Sequence, residues 1–388
     1  MDTAESGNRH LTWIYWGTLI TSLGSFTFPG ATIGVMTQLN YPLWQIGALM
    51  AIARFGVIFG SFLLGDLSEK IDSKKVVLWT ELFGFIFTAL LIFVWKLGSA
   101  YYWLFAVLVF LRFFAVSIGG PGRNRMIKVL KDKYNQDHFD SGVVLNVVTH
   151  GPGVIGSLIG FAAIKYYSYE WVLVFDGLTF IINGLILLKL VDVQPIQTNT
   201  QDKTNLITKM SIYFSFRKLS YLDILLALPF MGTNVLMSRL SGGIGYRVPL
   251  LLTTFGLAVF ISSTLLKISK SNRTHLLAYG ALLLSFVFLI FTHSIFYLVV
   301  VGVFLRNLSY WYLYNLYTGT YQQKGTVNNI SSLFAARTVI GTSIIAIGDI
   351  LFGSVAGELS LVNDLLIRAT LTVIALIFAI KFKDFKSE

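Results

Sequence analysis

Long apolar runs without a charged side chain recur along the whole chain of 388 residues. Each run is near the ~20 residues that a helix needs to cross the hydrocarbon core of a bilayer. Only 13% of the residues are charged, against about 25% in an average soluble domain. The chain therefore lacks the charge that a soluble fold of this size needs at its surface. These features predict a polytopic membrane protein and exclude a soluble enzyme, a secreted scaffold and a disordered protein.

The apolar runs divide the chain into two halves. The longest polar segment, about 191–220, falls at the midpoint. We predict an all-α protein with an N-terminal six-helix bundle (1–192), a cytoplasmic linker (193–220) and a C-terminal six-helix bundle (221–388). The twelve predicted spans cover residues 12–36, 44–64, 76–95, 101–120, 141–164, 171–190, 221–238, 248–266, 274–292, 296–316, 330–354 and 361–380. The seventh is the weakest, because Arg239 and a Gly-rich stretch follow it closely.

The basic residues predict how the chain is oriented. The formal net charge is +11, and 21 of the 30 Lys and Arg residues fall in the termini and in alternate connecting segments, against four in the other loops. Positive loops stay in the cytoplasm. We therefore expect both termini to be cytoplasmic, and the excess of basic residues reflects membrane orientation and not nucleic-acid binding.

The sequence lacks the residues that several classes of chemistry require. The chain has no cysteine, which excludes disulfides and Cys-ligated metals. No His-Glu-x-x-His, Gly-x-Ser-x-Gly or Walker-type sequence is present. We expect no cofactor, no metal and no enzymatic activity, although a membrane-embedded enzyme or a lipid scramblase with an unfamiliar site stays open as the alternative class.

A short repeat relates the two halves. Val109–Arg112 in the fourth span recurs as Val303–Arg306 in the tenth, at an offset of 194 residues, which is half the chain. Together with the span count and the central linker, this repeat predicts a parallel duplication. A binding site is then expected near the membrane midplane, between the halves.

The loop after the second span carries a family signature. Residues 65–75 read Gly-Asp-Leu-Ser-Glu-Lys-Ile-Asp-Ser-Lys-Lys, which resembles the loop 2–3 signature of the major facilitator superfamily, in the variant of its macrolide-efflux and enterobactin-exporter branch. The resemblance implies a cytoplasmic latch that stabilises the outward-facing state, and the alternative is a plain positively charged loop. The implied latch residues are Gly65, Glu69, Lys70, Lys74 and Lys75.

A second element of the resemblance lies in the fifth span. Gly151, Pro152 and Gly156 match the Gly-Pro-x-x-Gly-Gly element that this superfamily associates with exporters and antiporters, while Ile155 replaces the first of the paired glycines. Proline removes a helical hydrogen bond and glycine permits close helix approach, so the element also predicts a bend at a packed interface. Residues 21–25 and 175–180 resemble the same branch.

Ionisable residues within the spans are the candidate functional residues, because a charge in the membrane is costly and usually faces a cavity or a partner. By resemblance, Arg112 takes the place of an Arg linked to proton coupling, and Glu81, Asp176 and His150 are the groups able to carry a proton. Structural ion pairs are the alternative, and Asp364 with Arg368 is expected to form one at i,i+4.

The charges also favour a partly anionic substrate, because guanidinium groups suit carboxylates and phosphates. The expected substrate cavity contains Arg54, Arg306, Arg337 and Tyr312.

The resemblance implies twelve helices in the major facilitator fold, working as a monomer in the inner membrane of a bacterium. The expected function is proton-coupled export of a bulky amphipathic or anionic small molecule, such as a siderophore or a drug-like compound, by alternating access. An importer of a siderophore or another organic solute with the same fold is the alternative.

Overall fold

The computed structural model contains twelve helical spans long and apolar enough to cross a membrane. It describes residues 2–64, 71–133, 138–189, 206–268, 271–325 and 330–382, and these residues form helices, turns and short connections without a β-strand. The prediction of an all-α polytopic membrane protein with two six-helix bundles is confirmed.

The N-terminal half contains six spans, the fifth of which is broken. The break lies at Gly151 and Pro152, where the proline has no N–H to continue the helix. The helices are Asp2–Gln38, Leu43–Leu64, Ser73–Leu97, Tyr102–Lys133, His138–His150 with Gly153–Tyr166, and Tyr169–Leu188.

The C-terminal half repeats this arrangement, with the break in its first span, the seventh of the chain. A short 3-10 turn at Leu228–Phe230 interrupts this helix, and Gly232 follows with φ +64°, a conformation that favours glycine. The helices are Arg217–Ala227 with Thr233–Leu240, Arg247–Ile268, Asn272–Thr292, Phe296–Lys324, Ile330–Val355 and Leu361–Lys381.

Local capping defines several helix starts. Asp72 accepts a hydrogen bond from the backbone N–H of Lys74 at 2.9 Å, at the beginning of the third span. Ser271 and Ser360 do the same for the ninth and twelfth spans. Short polar side chains in these positions satisfy N–H groups that have no partner within the helix.

Two spans continue well past their predicted C-terminal ends, because hydropathy identifies only the apolar part of a helix that continues beyond the bilayer. The fourth extends to Lys133 instead of residue 120, and the tenth to Lys324 instead of residue 316.

The expected linker, 193–220, is also partly helical. A linker helix forms at Leu206–Ser215, and the seventh span begins at Arg217. The buried Tyr213 donates to the Ser220 carbonyl at 3.2 Å, so this helix packs on the C-terminal half. Residues 190–205 lie outside the described part of the chain.

The two halves meet tightly at the end of the bundle remote from the chain termini, which we call the distal end. Thr37 and Ser238 share a hydrogen bond of 2.9 Å between the first and seventh spans. A Cβ atom on Gly34 would lie 2.7 Å from the carbonyl oxygen of Gly245. Small residues therefore bring the backbones of the two halves into contact there.

Candidate functional site

A cavity of about 220 Å³ lies between the two halves, on the side of the chain termini. Its walls come from the first, second, fourth and fifth spans of the N-terminal half and from the tenth and eleventh spans of the C-terminal half. Hydroxyl groups contribute much of the polar lining, from Thr18, Ser61, Ser117, Thr149, Thr318 and Thr338.

The ionisable residues that line this cavity are of the basic types. Arg123 and His150 reach the cavity from the fourth and fifth spans, and no carboxylate is among the lining residues in the described part of the chain. Asn124 and Tyr314 complete the polar set. Guanidinium, imidazole and hydroxyl groups together form a surface suited to a carboxylate or a phosphate.

Arg123 shares its charge with an acid behind the cavity wall. Its Nη2 donates to Oε1 of Glu81, whose side chain is 3% exposed against 12% for that of Arg123. Thr21 donates to Oε2 of Glu81 at 2.9 Å, and Asn183 donates to the Thr21 hydroxyl at 2.7 Å. Glu81 is thus fixed in the N-terminal half, while its cationic partner reaches the cavity.

His150 ends the first part of the fifth span, next to the Gly-Pro break. Its ring lies among aromatic rings from both halves, 5.7 Å from Phe26 and 4.5 Å from Trp311 between ring centres. Its Nδ1 atom is buried without a hydrogen-bond partner among the described residues. A polar atom held this way at a cavity wall is available to a ligand.

Arg112 and Asp176, two residues of the expected proton-coupling set, bind each other. Nε and Nη2 of Arg112 donate to Oδ2 of Asp176 at 2.9 and 2.6 Å, and both side chains are fully buried. Thr88 and the ring of Phe28 complete their surroundings. The pair lies inside the N-terminal half and outside the cavity lining, so the structure separates it from Glu81 and His150. Its role in coupling stays a prediction.

The expected cavity residues are likewise dispersed. Nε of Arg54 donates to Asp349 at 2.9 Å, across the boundary between the halves. Tyr312 donates to Thr274 at 2.8 Å, and Arg306 is fully buried in the C-terminal half.

Arg337 forms two hydrogen bonds of 2.8 Å with the carboxylate of Asp223. Its guanidinium carbon lies 4.2 Å from the ring centre of Tyr314, which itself lines the cavity. None of the four expected residues lines the cavity found here, because protein partners hold the side chains elsewhere. Their role in substrate binding stays a prediction.

The expected latch lies largely outside the described residues, which exclude Gly65, Glu69 and Lys70. Lys74 and Lys75 begin the third span, and the Lys75 side chain is exposed. The latch therefore also stays a prediction.

The glycines of the fifth span permit close crossings with two neighbours. A Cβ atom on Gly156 would lie 3.2 Å from the backbone nitrogen of Thr27 in the first span. A Cβ atom on Gly256 of the eighth span would lie 2.8 Å from the carbonyl oxygen of Gly151. The sequence element therefore coincides with a packed bend, as its composition predicts.

Sequence reasoning missed Arg123, because the predicted fourth span ended at residue 120 and assigned this arginine to a cytoplasmic loop. One signal could have found it. Glu81 lies within an apolar span, and a buried carboxylate requires a cation nearby. Arg123 is one turn beyond the predicted end of the next span, within reach of such an acid.

Comparison with known proteins gives a family and a fold. The family model of the Major Facilitator Superfamily matches residues 14–349. No curated protein matches the sequence. The crystal structure of the human organic anion transporter MFSD10 (TETRAN) aligns with a TM-score of 0.71 at 14% identity, over 96% of this chain and 99% of that one. The xylose transporter XylE from E. coli aligns with a TM-score of 0.72 at 12% identity, over 96% and 98%. The nucleoside transporter NupG gives 0.70 at 14%, over 95% and 99%.

Proposed function

Since this chain belongs to the Major Facilitator Superfamily, we propose that it is a secondary active transporter that carries an organic anion, coupled to protons, by alternating access. Members of this superfamily are generally transporters and not enzymes. The observation that carries the proposal is the basic cavity between the halves, lined by Arg123 and His150.

The substrate class follows from the chemistry of the lining. A carboxylate or phosphate accepts charge-assisted hydrogen bonds from Arg123, and the surrounding hydroxyls bind its remaining oxygens. A cationic substrate would meet the guanidinium group of Arg123 in the lining, whereas Glu81, the partner of Arg123, lies behind the cavity wall. The volume of about 220 Å³ is below the roughly 300–1,000 Å³ of sites for drug-sized ligands. A small organic anion therefore suits this conformation better than a bulky siderophore.

Proton coupling follows from competition for Arg123. A substrate anion that binds Arg123 weakens the ion pair with Glu81. A buried carboxylate that loses its cation is unstable, and binding a proton neutralises it. The anion and the proton then bind together, so this geometry favours their movement in the same direction.

His150 contributes to anion binding and not to proton uptake. Its Nδ1 has no hydrogen-bond partner among the described residues. Burial among aromatic rings and the charge of Arg337 both favour the neutral imidazole, which binds an anion by donating a hydrogen bond.

Two observations favour opposite directions of transport. Co-transport of an anion with protons down an inward proton gradient is uptake, the alternative that the sequence leaves open. The Gly151, Pro152 and Gly156 element favours export instead. We propose uptake, because the Glu81–Arg123 geometry bears directly on coupling, whereas the glycine element coincides with helix packing.

The proposed orientation combines the charge pattern with the conformation. With both termini in the cytoplasm of a bacterial cell, the closed distal end faces outward and the cavity lies on the cytoplasmic side. Alternating access then requires the distal contacts to separate while the latch around Glu69 and Lys70 forms. We propose that a monomer carries out this cycle, with Arg112 and Asp176 as an internal support of the N-terminal half.

A transport assay in proteoliposomes tests the proposal. The purified protein is reconstituted with an internal pH dye and exposed to radiolabelled lactate, succinate, ethidium or xylose. The proposal predicts accumulation of an anionic probe, driven by a pH gradient and accompanied by proton movement in the same direction. Transport of ethidium or xylose with no anion transport would contradict the substrate class, and anion movement opposite to the protons would support export.

A further inference from the structure

The break in the seventh span creates a polar point inside the C-terminal half. The helix stops at the Leu228–Phe230 turn and resumes at Thr233. Arg368 of the twelfth span donates to two carbonyl oxygens at the break, that of Pro229 at 3.0 Å and that of Gly232 at 3.4 Å, the second of which also accepts from the backbone N–H of Leu236. A cation from another helix therefore holds the break in place.

A second guanidinium group lies at the same break. Arg306 of the tenth span is fully buried, and its Nη2 donates to the hydroxyl of Thr233 at 2.8 Å. Its guanidinium carbon lies 4.3 Å from the ring centre of Phe230. Its Nε and Nη1 atoms have no hydrogen-bond partner in the described ranges, nor does any carboxylate there form an ion pair with this side chain. A buried arginine in that condition is costly.

The internal repeat allows Arg306 to be compared with its counterpart in the N-terminal half. Arg112, at the position equivalent to Arg306 in the N-terminal half, is neutralised by Asp176 of the sixth span. The residue 194 positions after Asp176 is Thr370, an exposed residue that donates to the carbonyl of Leu366 on its own helix. An exposed residue is not the counterpart of the buried Asp176, and the buried acid of the twelfth span, Asp364, forms its ion pair with Arg368 and not with Arg306.

The neighbouring carboxylates do not neutralise Arg306. Asp364 pairs with Arg368 at 2.7 Å and with Arg239 at 3.3 Å. Among the residues that the structure describes around the break, Arg239, Arg306 and Arg368 thus share one carboxylate. The neighbouring Asp349 is already paired with Arg54. Arg239 is partly exposed and Arg368 pairs closely with Asp364, so among the described residues of this cluster Arg306 is the cation that stays fully buried without a counter-ion.

We propose that this cluster binds one small monovalent anion, of the size of chloride, beside Arg306 and Thr233. Thr233 is the first residue of the Thr233–Leu240 helix, and the N-terminus of a helix favours negative charge. The ring centres of Phe230 and Phe286 lie 4.3 and 6.0 Å from the guanidinium carbon of Arg306, so the surroundings of this charge are apolar. Water could occupy the free donors, but it would leave the charge unbalanced.

The anion has a structural consequence for the cycle. It links the tenth span to the broken seventh span, whose second part carries Ser238 to the distal contact with Thr37. An occupied site fixes the break, and an empty site leaves adjacent cations to repel each other. The site lies apart from the cavity between the halves, and the inference does not rest on the proposed transport function.

Thermal unfolding in detergent tests the site without any transport assay. Sodium chloride is titrated against sodium isethionate at constant ionic strength, and tryptophan fluorescence reports the Tm of the full chain. We expect Tm to rise with the logarithm of chloride concentration above the dissociation constant. Arg306→Met should abolish this dependence. Arg273→Gln, which removes an exposed arginine, should retain it.

An equal chloride dependence in the Arg306→Met variant would overturn the proposal, as would a wild-type Tm that is the same in both salts. If Arg306→Met fails to fold, the wild-type protein crystallised in sodium bromide provides the decisive measurement. Anomalous scattering should place one bromide ion against the Arg306 guanidinium. An anomalous map without a peak there would also overturn the proposal.

Discussion

Nε of Arg54 lies 2.9 Å from Oδ2 of Asp349, and this ion pair joins the second span of one half to the eleventh span of the other. Asp349 is fully buried, whereas the Arg54 side chain is 26% exposed. Asn234 of the seventh span donates to the same carboxylate oxygen at 2.9 Å. Three spans from two halves therefore converge on one carboxylate, close to the distal contacts that close this end of the bundle.

Removing this pair should open the distal end. A coupling of about 1–3 kcal/mol changes a conformational equilibrium by roughly 5- to 150-fold, so we expect Asp349→Asn to increase distal accessibility at least about fivefold. The chain has no cysteine, so Ser238→Cys introduces a single thiol at the distal contact for labelling with a membrane-impermeant maleimide, and every variant is compared with this parent, in which the hydrogen bond to Thr37 is already altered.

The matched control for that experiment is Glu358→Gln, which removes an exposed acid at the same end of the bundle. The control should label at the rate of the parent Ser238→Cys protein. Equal labelling rates in the Asp349→Asn and Glu358→Gln variants would show that the pair does not hold the distal end closed.

The Arg112–Asp176 pair should act mainly on stability. Asp176→Asn leaves Arg112 buried without a counter-ion, and breaking a buried pair from one side costs about 3–5 kcal/mol. The double variant Arg112→Met with Asp176→Leu removes both charges, so we expect a smaller loss than for Asp176→Asn alone. Thermal unfolding in detergent measures both, with Glu170→Gln in the same span as the control.

If Asp176→Asn keeps the wild-type Tm yet loses proton-coupled transport, the pair is a coupling element and not an internal support. That outcome would restore the role that the resemblance assigns to Arg112.

His150 should contribute to anion affinity. His150→Phe replaces the ring by one that suits the neighbouring Phe26 and Trp311, so the variant should fold. A hydrogen bond to a charged group is worth about 1.5–3 kcal/mol, and its loss should raise the KM for the anion by roughly tenfold or more. Phe26→Leu alters the same cluster but keeps the imidazole, and its KM should stay close to that of the wild type. An unchanged KM in His150→Phe would remove this residue from the site.

The sequence predicts the spans well because insertion into a membrane depends on composition along one helix. It predicts much less about partners. Arg112 and Arg306 occur in the same four-residue repeat, yet only Arg112 is neutralised, because Asp176 of the sixth span binds Arg112 whereas Asp364 of the twelfth span binds Arg368. Which charges meet depends on how the helices rotate and tilt against each other, and a span-by-span analysis does not contain that information.

The linker shows a second limit. Polar composition around 191–220 predicts a connection, but Leu206–Ser215 is helical and buries Tyr213 against the C-terminal half. A short helix outside the apolar spans gives no signal in a search for apolar runs. Arg123 lies outside the predicted fourth span for the same reason, since it follows the apolar part of its helix.

The Glu81–Arg123 pair is central to the proposed mechanism. Variants of its two residues should distinguish anion binding from proton coupling. Glu81→Gln keeps Arg123 available to an anion but removes the proton-binding carboxylate. We expect this variant to exchange anion across the membrane without net accumulation. Arg123→Gln should lose anion transport altogether, while Arg273→Gln, an exposed arginine on the side of the chain termini, should behave as the wild type.

The most direct test records anion and proton fluxes together in proteoliposomes that contain the wild-type protein or Glu81→Gln. With succinate, lactate or another anion that the transport assay identifies, the wild-type protein should move protons with the anion. Glu81→Gln should show anion exchange with no associated proton movement. Proton-coupled anion accumulation at the wild-type rate in Glu81→Gln would contradict the account.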